Sequence, residues 1–123
     1  MSRLKIASEK AKIKLTYEKQ TIIELNEFYN KEMLYIKLTR ETFENICEDI
    51  FQRLTITINK AIEDSKIEYT KIKELIFVGG STRIPKLKEI IHNFFIDLHI
   101  NDSLNPEETV AYGAAILAAK VPL

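Results

Sequence analysis

The chain has 123 residues, with 18 basic and 18 acidic side chains and no formal net charge. That is one domain's worth of chain, or a piece of a larger one, and it can bury about two thirds of its unfolded surface. The balanced charge argues against a nucleic-acid binder, and the single cysteine, Cys47, excludes an internal disulfide or a cysteine cluster for metal.

Residues 2–16 are predicted as a helix. Arg3, Lys5, Lys10, Lys12, Lys14 and Lys19 outnumber Glu9 and Glu18 in this region. A solvated face is the simple reading, because Ala7 and Ala11 offer a membrane surface little apolar area. No apolar run reaches the length of a membrane span, and no signal-peptide core opens the chain, so a reducing, cytoplasmic setting is expected. Residues 20–28 are β-rich and partly alternating, and residues 33–38 read the same way. Tyr29-Asn30-Lys31-Glu32 would be the turn of an antiparallel hairpin.

Thr39 fits the N-cap of the next helix. Beyond it Phe43, Ile46, Cys47, Ile50, Phe51, Leu54, Ile58, Ala61 and Ile62 recur at three- and four-residue steps. That spacing predicts one long helix over about 40–65. Cys47 lies on its apolar stripe, as a small buried hydrophobe rather than a reactive thiol. Asp64-Ser65-Lys66 breaks the pattern, and Thr70 is expected to cap a short turn.

Leu75-Ile76-Phe77-Val78 reads as a short buried strand, with an edge expected to lie unpaired. Gly79-Gly80-Ser81 then turns the chain, and Pro85 suits the first position of a helix running to about Phe95. Leu87, Ile90, Ile91, Phe94 and Phe95 would face inward. Residues 97–104 are expected to be loop. Asn105-Pro106-Glu107-Glu108 gives an N-cap, a first-position proline and an acidic third residue in a capping-box-like order. The helix after it is mostly small residues, which permit close packing.

No complete catalytic constellation is present. His92 and His99 lack a nucleophile partner and metal-pair spacing, and there is no Walker-type phosphate loop. Binding is better supported. A strand, a Gly-Gly-Ser turn and a helix make a ligand crevice at the carboxyl end of a strand in open α/β sheets. A flat ring such as adenine can lie against that bare backbone. Glu9, Lys12 and Thr16 share one helix face. They either grip ribose hydroxyls and ring nitrogens or form an ordinary surface pair beside a helix-end threonine.

The segment VGGSTRIPKL, Val78 to Leu87, resembles the adenosine-binding turn of the seventy-kilodalton heat-shock chaperones. The ATPase domain of that family has the actin and hexokinase fold. Leu104 to Ala115 is similar to its closing helix, and Glu9 to Thr16 to the helix that reaches over the nucleotide. The likeness covers essentially the whole chain, in order. It implies an α/β fold, part of the second lobe of such a domain, with helices packed on a β-hairpin and a short strand. Residues 1–47 would belong to the outer subdomain and 48–123 to the inner one, with the long helix crossing between them.

The resemblance implies ATP or ADP as ligand, contacted here through its adenosine. Gly79, Gly80 and Ser81 would floor the adenine. Arg83 would stack along one ring face. Ile84 would pin the turn. Glu9, Lys12 and Thr16 would approach the ribose and purine edge, and Glu107 would stand near the nucleoside. Two positions depart from the family: Ile13 replaces a stacking arginine, and Glu107 replaces an aspartate.

No catalytic residue and no metal ligand carries over. The phosphate-binding hairpins, the catalytic lysine, the magnesium-positioning carboxylates and the substrate-binding domain have no counterpart. Magnesium would be held only through those parts. Phosphoryl transfer depends on positioned cations around the phosphates, so this chain alone is expected not to hydrolyse ATP and to hold adenosine weakly. By resemblance its partners are nucleotide, a nucleotide exchange factor and J-domain co-chaperones, with unfolded clients reached only through the absent domain. Exchange factors grip the upper part of the second lobe, so a non-catalytic interaction module is the alternative function. An inactive α/β fragment is a third.

Overall fold

A computed structural model of the chain describes residues 2–120. Two compact units divide within one helix, the first ending at Gln52 and the second beginning at Arg53.

In the first unit, helix α1 (Ser2–Tyr17) packs on strand β1 (Gln20–Tyr29), which pairs antiparallel with β2 (Glu32–Thr39). The pairing runs from Gln20 opposite Thr39 to Leu25 opposite Leu34. Asn30 and Lys31 connect the strands, both at positive φ (49° and 63°). That pattern matches the right-handed twist of a two-residue hairpin. The side-chain period of two buries Thr21 and Ile23 against α1, where Ala11 and Leu15 are buried in turn.

Two arginines tie this unit together. Arg3 donates to the carbonyls of Asn26 and Glu27 at 3.0 and 2.8 Å, gripping the irregularity between Leu25 and Tyr29 where Glu27 has φ 48°. Arg40 donates from Nε to the Leu15 carbonyl at 2.7 Å, and from Nη2 to those of Thr16 and Glu18 at 3.2 and 3.0 Å. The last carbonyls of a helix lack intrahelical partners, and a cation there also suits the helix dipole.

The predicted helix over 40–65 is broken. Helix α2 (Arg40–Ile46) ends at Cys47, and α3 (Glu48–Ser65) starts after it. The Cys47 N–H is shared between the carbonyls of Phe43 (3.1 Å) and Glu44 (3.2 Å). Its own carbonyl then accepts from Ile50 and Phe51, so the ladder restarts there. Glu48 and Asp49 supply acidic charge to the new N-terminus. Thr39 caps α2 as expected, accepting from the Thr42 N–H at 3.1 Å. Lys66, at φ 55°, terminates α3.

In the second unit a 3₁₀ turn, Tyr69–Lys71, precedes strand β3 (Glu74–Ile76). Thr70 lies inside that turn rather than capping it, since Glu68 occupies the cap position. Helix α4 (Pro85–Phe94) follows, with proline in its first turn as predicted. The predicted loop over 97–104 contains strand β4 (His99–Asn101), paired parallel to β3 from Glu74–His99 to Ile76–Asn101. The unit is therefore a small β–α–β element with its own two-stranded sheet. Phe95 is buried, stacked on Tyr69 at 5.7 Å between ring centroids and edge-on to Phe94 at 4.8 Å. Helix α5 (Thr109–Lys120) completes the described chain, with Val110, Tyr112, Ile116 and Leu117 exposed. Mixed helices and small sheets make this an α/β fold.

Candidate functional site

The backbone beyond β3 is shaped by its glycines. Gly79 has φ 91° and ψ 147°, a region that side chains disfavour. Its N–H donates to the Pro106 carbonyl at 2.7 Å, joining the turn to the entrance of α5. Its carbonyl accepts from both the N–H (3.1 Å) and the hydroxyl (2.7 Å) of Thr82. A 3₁₀ turn over Gly80–Arg83 lies between the glycine pair and α4, where the sequence predicted a direct turn into helix. Ile84 then adopts extended φ and ψ, as a residue before proline should. Its N–H closes on the Ser81 carbonyl at 3.2 Å.

Arg83 leaves this turn half-buried and doubly held. Nε donates to Oε1 of Glu107 at 3.0 Å, and Nη2 to Oδ1 of Asn105 at 2.9 Å. Asn105 also caps the chain entering α5, because the same Oδ1 accepts from the Glu107 N–H at 3.2 Å. The Asn105 carbonyl takes the N–H groups of Glu108 and Thr109 at 3.0 Å each. The predicted capping box is only half built: Glu108 accepts from the Tyr112 hydroxyl at 3.1 Å. That hydrogen bond, with the carboxylate's charge, raises the Tyr112 pKa above its ordinary value.

Six of the predicted site residues thus lie in the second unit: Gly79, Gly80, Ser81, Arg83, Ile84 and Glu107. Hydrogen bonds draw the turn, Arg83 and Glu107 together there. The other three lie on α1 in the first unit. Lys12 pairs with Glu9 at 2.7 Å, confirming that they share a face. Thr16 offers its carbonyl to Arg40. Ile13 is half exposed.

The cavities lie beside these residues rather than on them. One of about 340 Å³ is walled by Arg83, Thr82, Phe77, Lys88 and the 101–106 loop, and Arg83 is the one predicted site residue that lines it. Another, of about 420 Å³, runs between α1 and β1, along Ile6, Lys10, Lys14 and Ile23, and Glu9, Lys12 and Thr16 do not line it. Among the described residues no group of three or more His, Cys, Asp or Glu side chains could hold a metal ion. Nor is any described helix long and apolar enough to cross a membrane. Sequence reasoning missed Asn105 as a partner of Arg83 and the Pro106 carbonyl as the anchor of Gly79. Neither leaves a signal beyond the capping pattern.

The family model described as Hsp70 protein matches residues 1–121. The chain belongs to the Hsp70 family. It is 40% identical over 119 residues to heat shock cognate 70 kDa protein 3 of Dictyostelium discoideum, covering 97% of this chain and 19% of that protein. A heat shock 70 kDa protein of Trichophyton rubrum gives 40% identity over 119 residues, covering 97% of this chain and 18% of that protein. A ribosome-associated molecular chaperone of Zygosaccharomyces rouxii gives 38% over the same length, with 97% and 19% coverage. This Hsp70-family chain therefore spans less than a fifth of the length of these relatives.

Proposed function

We propose that this chain supplies the adenosine side of an ATP site in a chaperone that folds proteins at the expense of ATP. The observation that carries the reading is the turn after β3. Nothing lies within 4 Å of a Cβ built on Gly79, which leaves backbone open to a flat ring, and Arg83 is held by Glu107 and Asn105 beside it. Edge-on hydrogen bonds leave the faces of a guanidinium available, and a purine can stack on one. Glu9, Lys12 and Thr16 are carried to the ribose and purine edge on the family likeness, and Ser81, Ile84 and Glu107 to the roles given above. Magnesium would enter with the phosphates, through parts of the protein other than these residues. The same reading gives the chain J-domain and exchange-factor partners and a reducing, cytoplasmic setting.

Titrating ADP into the purified chain, followed by amide NMR shifts, tests the proposal. Saturable shifts centred on Gly80 are expected, lost in Gly80→Val. A flat response up to millimolar ADP would contradict it.

A second reading has its own observation. The outer face of the hairpin carries Ile22 opposite Lys37 and Tyr35 opposite Glu24, and both Ile22 and Tyr35 are half exposed. An aromatic, an aliphatic and two charges of opposite sign on one open sheet face suit a protein partner. In this reading the first unit is the docking surface for an exchange factor. Binding that survives Gly80→Val but fails in Tyr35→Ala would favour it.

A further inference from the structure

We propose that Asn105 is a positioning residue of this site, whose side-chain oxygen sets the plane of the Arg83 guanidinium. The inference rests on the nucleotide reading above.

The geometry divides the work between two anchors. A guanidinium is planar and rigid, so one hydrogen bond lets it swing, whereas two bonds from two nitrogens fix its plane. Arg83 has such a pair: Nε to Glu107 and Nη2 to Asn105. The anchors are not equal. The Glu107 side chain is 59% exposed, so water screens that ion pair and competes for it. Asn105 is half-buried, and its bond to Arg83 is the more shielded of the two.

Asn105 is itself immobilised. An amide oxygen has two lone pairs, and here both are used, one by Arg83 and one by the Glu107 N–H. Its carbonyl is held by Glu108, Thr109 and the Thr109 hydroxyl at 3.0, 3.0 and 2.7 Å. The next residue, Pro106, fixes Gly79 through its carbonyl. One dipeptide therefore aims the arginine, holds the glycine turn and starts α5. Movement at the head of α5 would tilt Arg83 and shift the turn together.

Capping and positioning separate by side-chain length. Serine caps a helix about as well as asparagine, but its oxygen lies one bond closer to Cβ, short of Arg83. Asn105→Ser should keep the melting temperature while weakening ADP roughly five- to tenfold. Asn105→Thr, a second short cap, should match it if the serine variant folds poorly. Asn105→Asp keeps an oxygen in place and should bind within about twofold of the parent. Combining Asn105→Ser with Arg83→Ala should bind no more weakly than Arg83→Ala alone, because the two act as one unit.

The Arg83 Nη2–H resonance, from the nitrogen that donates to Asn105, is the readout that needs no nucleotide. It should be slow to exchange in the parent and in Asn105→Asp, and fast in Asn105→Ser. Parent-like ADP affinity in both short variants overturns the proposal, as does equal weakening by aspartate. If the parent itself binds no ADP, the nucleotide reading fails. The resonance then decides alone: release in the serine variant sustains the positioning role, and an unchanged signal overturns it.

Discussion

A Cβ added to Gly80 would stand 3.4 Å from Oε1 of Glu107, the same oxygen that accepts from Arg83. The floor of the turn and the entrance of α5 are therefore in contact, with glycine as the spacer. Gly80 is not at positive φ, so alanine fits its backbone. Gly80→Ala should change stability by less than about 0.5 kcal/mol, since the exposed Glu107 side chain can give way and the unfolded chain loses freedom. Gly80→Val pushes two methyl groups toward that carboxylate and should abolish ADP-dependent shifts while the chain stays folded. Chemical denaturation alongside ADP titration checks both.

Gly79 presents the opposite case. Nothing lies within 4 Å of a Cβ built there, yet its φ of 91° is strained for any other residue. Gly79→Ala should cost about 1–3 kcal/mol despite the open space. A loss below 0.5 kcal/mol in urea would mean that the turn relaxes freely, without its bond to Pro106.

Arg40 holds three carbonyls at the end of α1. Arg40→Ala should destabilise the first unit by roughly 2 kcal/mol, as expected for charge-assisted bonds that are partly buried. Arg40→Lys should recover a minority of that, because an ammonium lacks the fork. Hydrogen exchange at Leu15 and Ile23 reports on this unit directly, and parent-like protection in Arg40→Ala would contradict the assignment.

The Cys47 thiol has its pKa raised, first by burial and then by the Asp49 carboxylate. A raised pKa means a smaller thiolate fraction at any given pH below it, and the thiolate is the nucleophile. Alkylation by iodoacetamide at pH 8 should therefore run slower than for a cysteine peptide. The rise of rate with pH should also lie at higher pH than the peptide's. Equal rates would place Cys47 in a more open setting.

How much of this was legible from sequence varied with the signal each element leaves. The hairpin was readable because alternation, β-branched residues and a polar turn coincide over residues 20–39. The break at Cys47 was hidden, because Phe43, Cys47 and Phe51 keep four-residue steps straight through it. Apolar spacing records which face is inward, not whether every rung of the ladder is present. Strand β4 was missed for a different reason. His99-Ile100-Asn101 has one apolar residue, and its identity as a strand comes only from pairing with β3. At the site, the glycines and the proline announced the turn, since each has a backbone constraint of its own. The role of Asn105 toward Arg83 was silent, because a helix cap and an arginine acceptor look the same in a sequence.

The most direct test of the central claim is a thermal melt of the purified chain with and without 1 mM ADP. A ligand that binds only the folded state raises its apparent stability. For a dissociation constant of about 0.1 mM the gain is about 1.4 kcal/mol, enough to move the transition by several degrees. The account predicts a cooperative melt that shifts upward with ADP, and no shift in Gly80→Val. A cooperative melt that ADP leaves in place would contradict it.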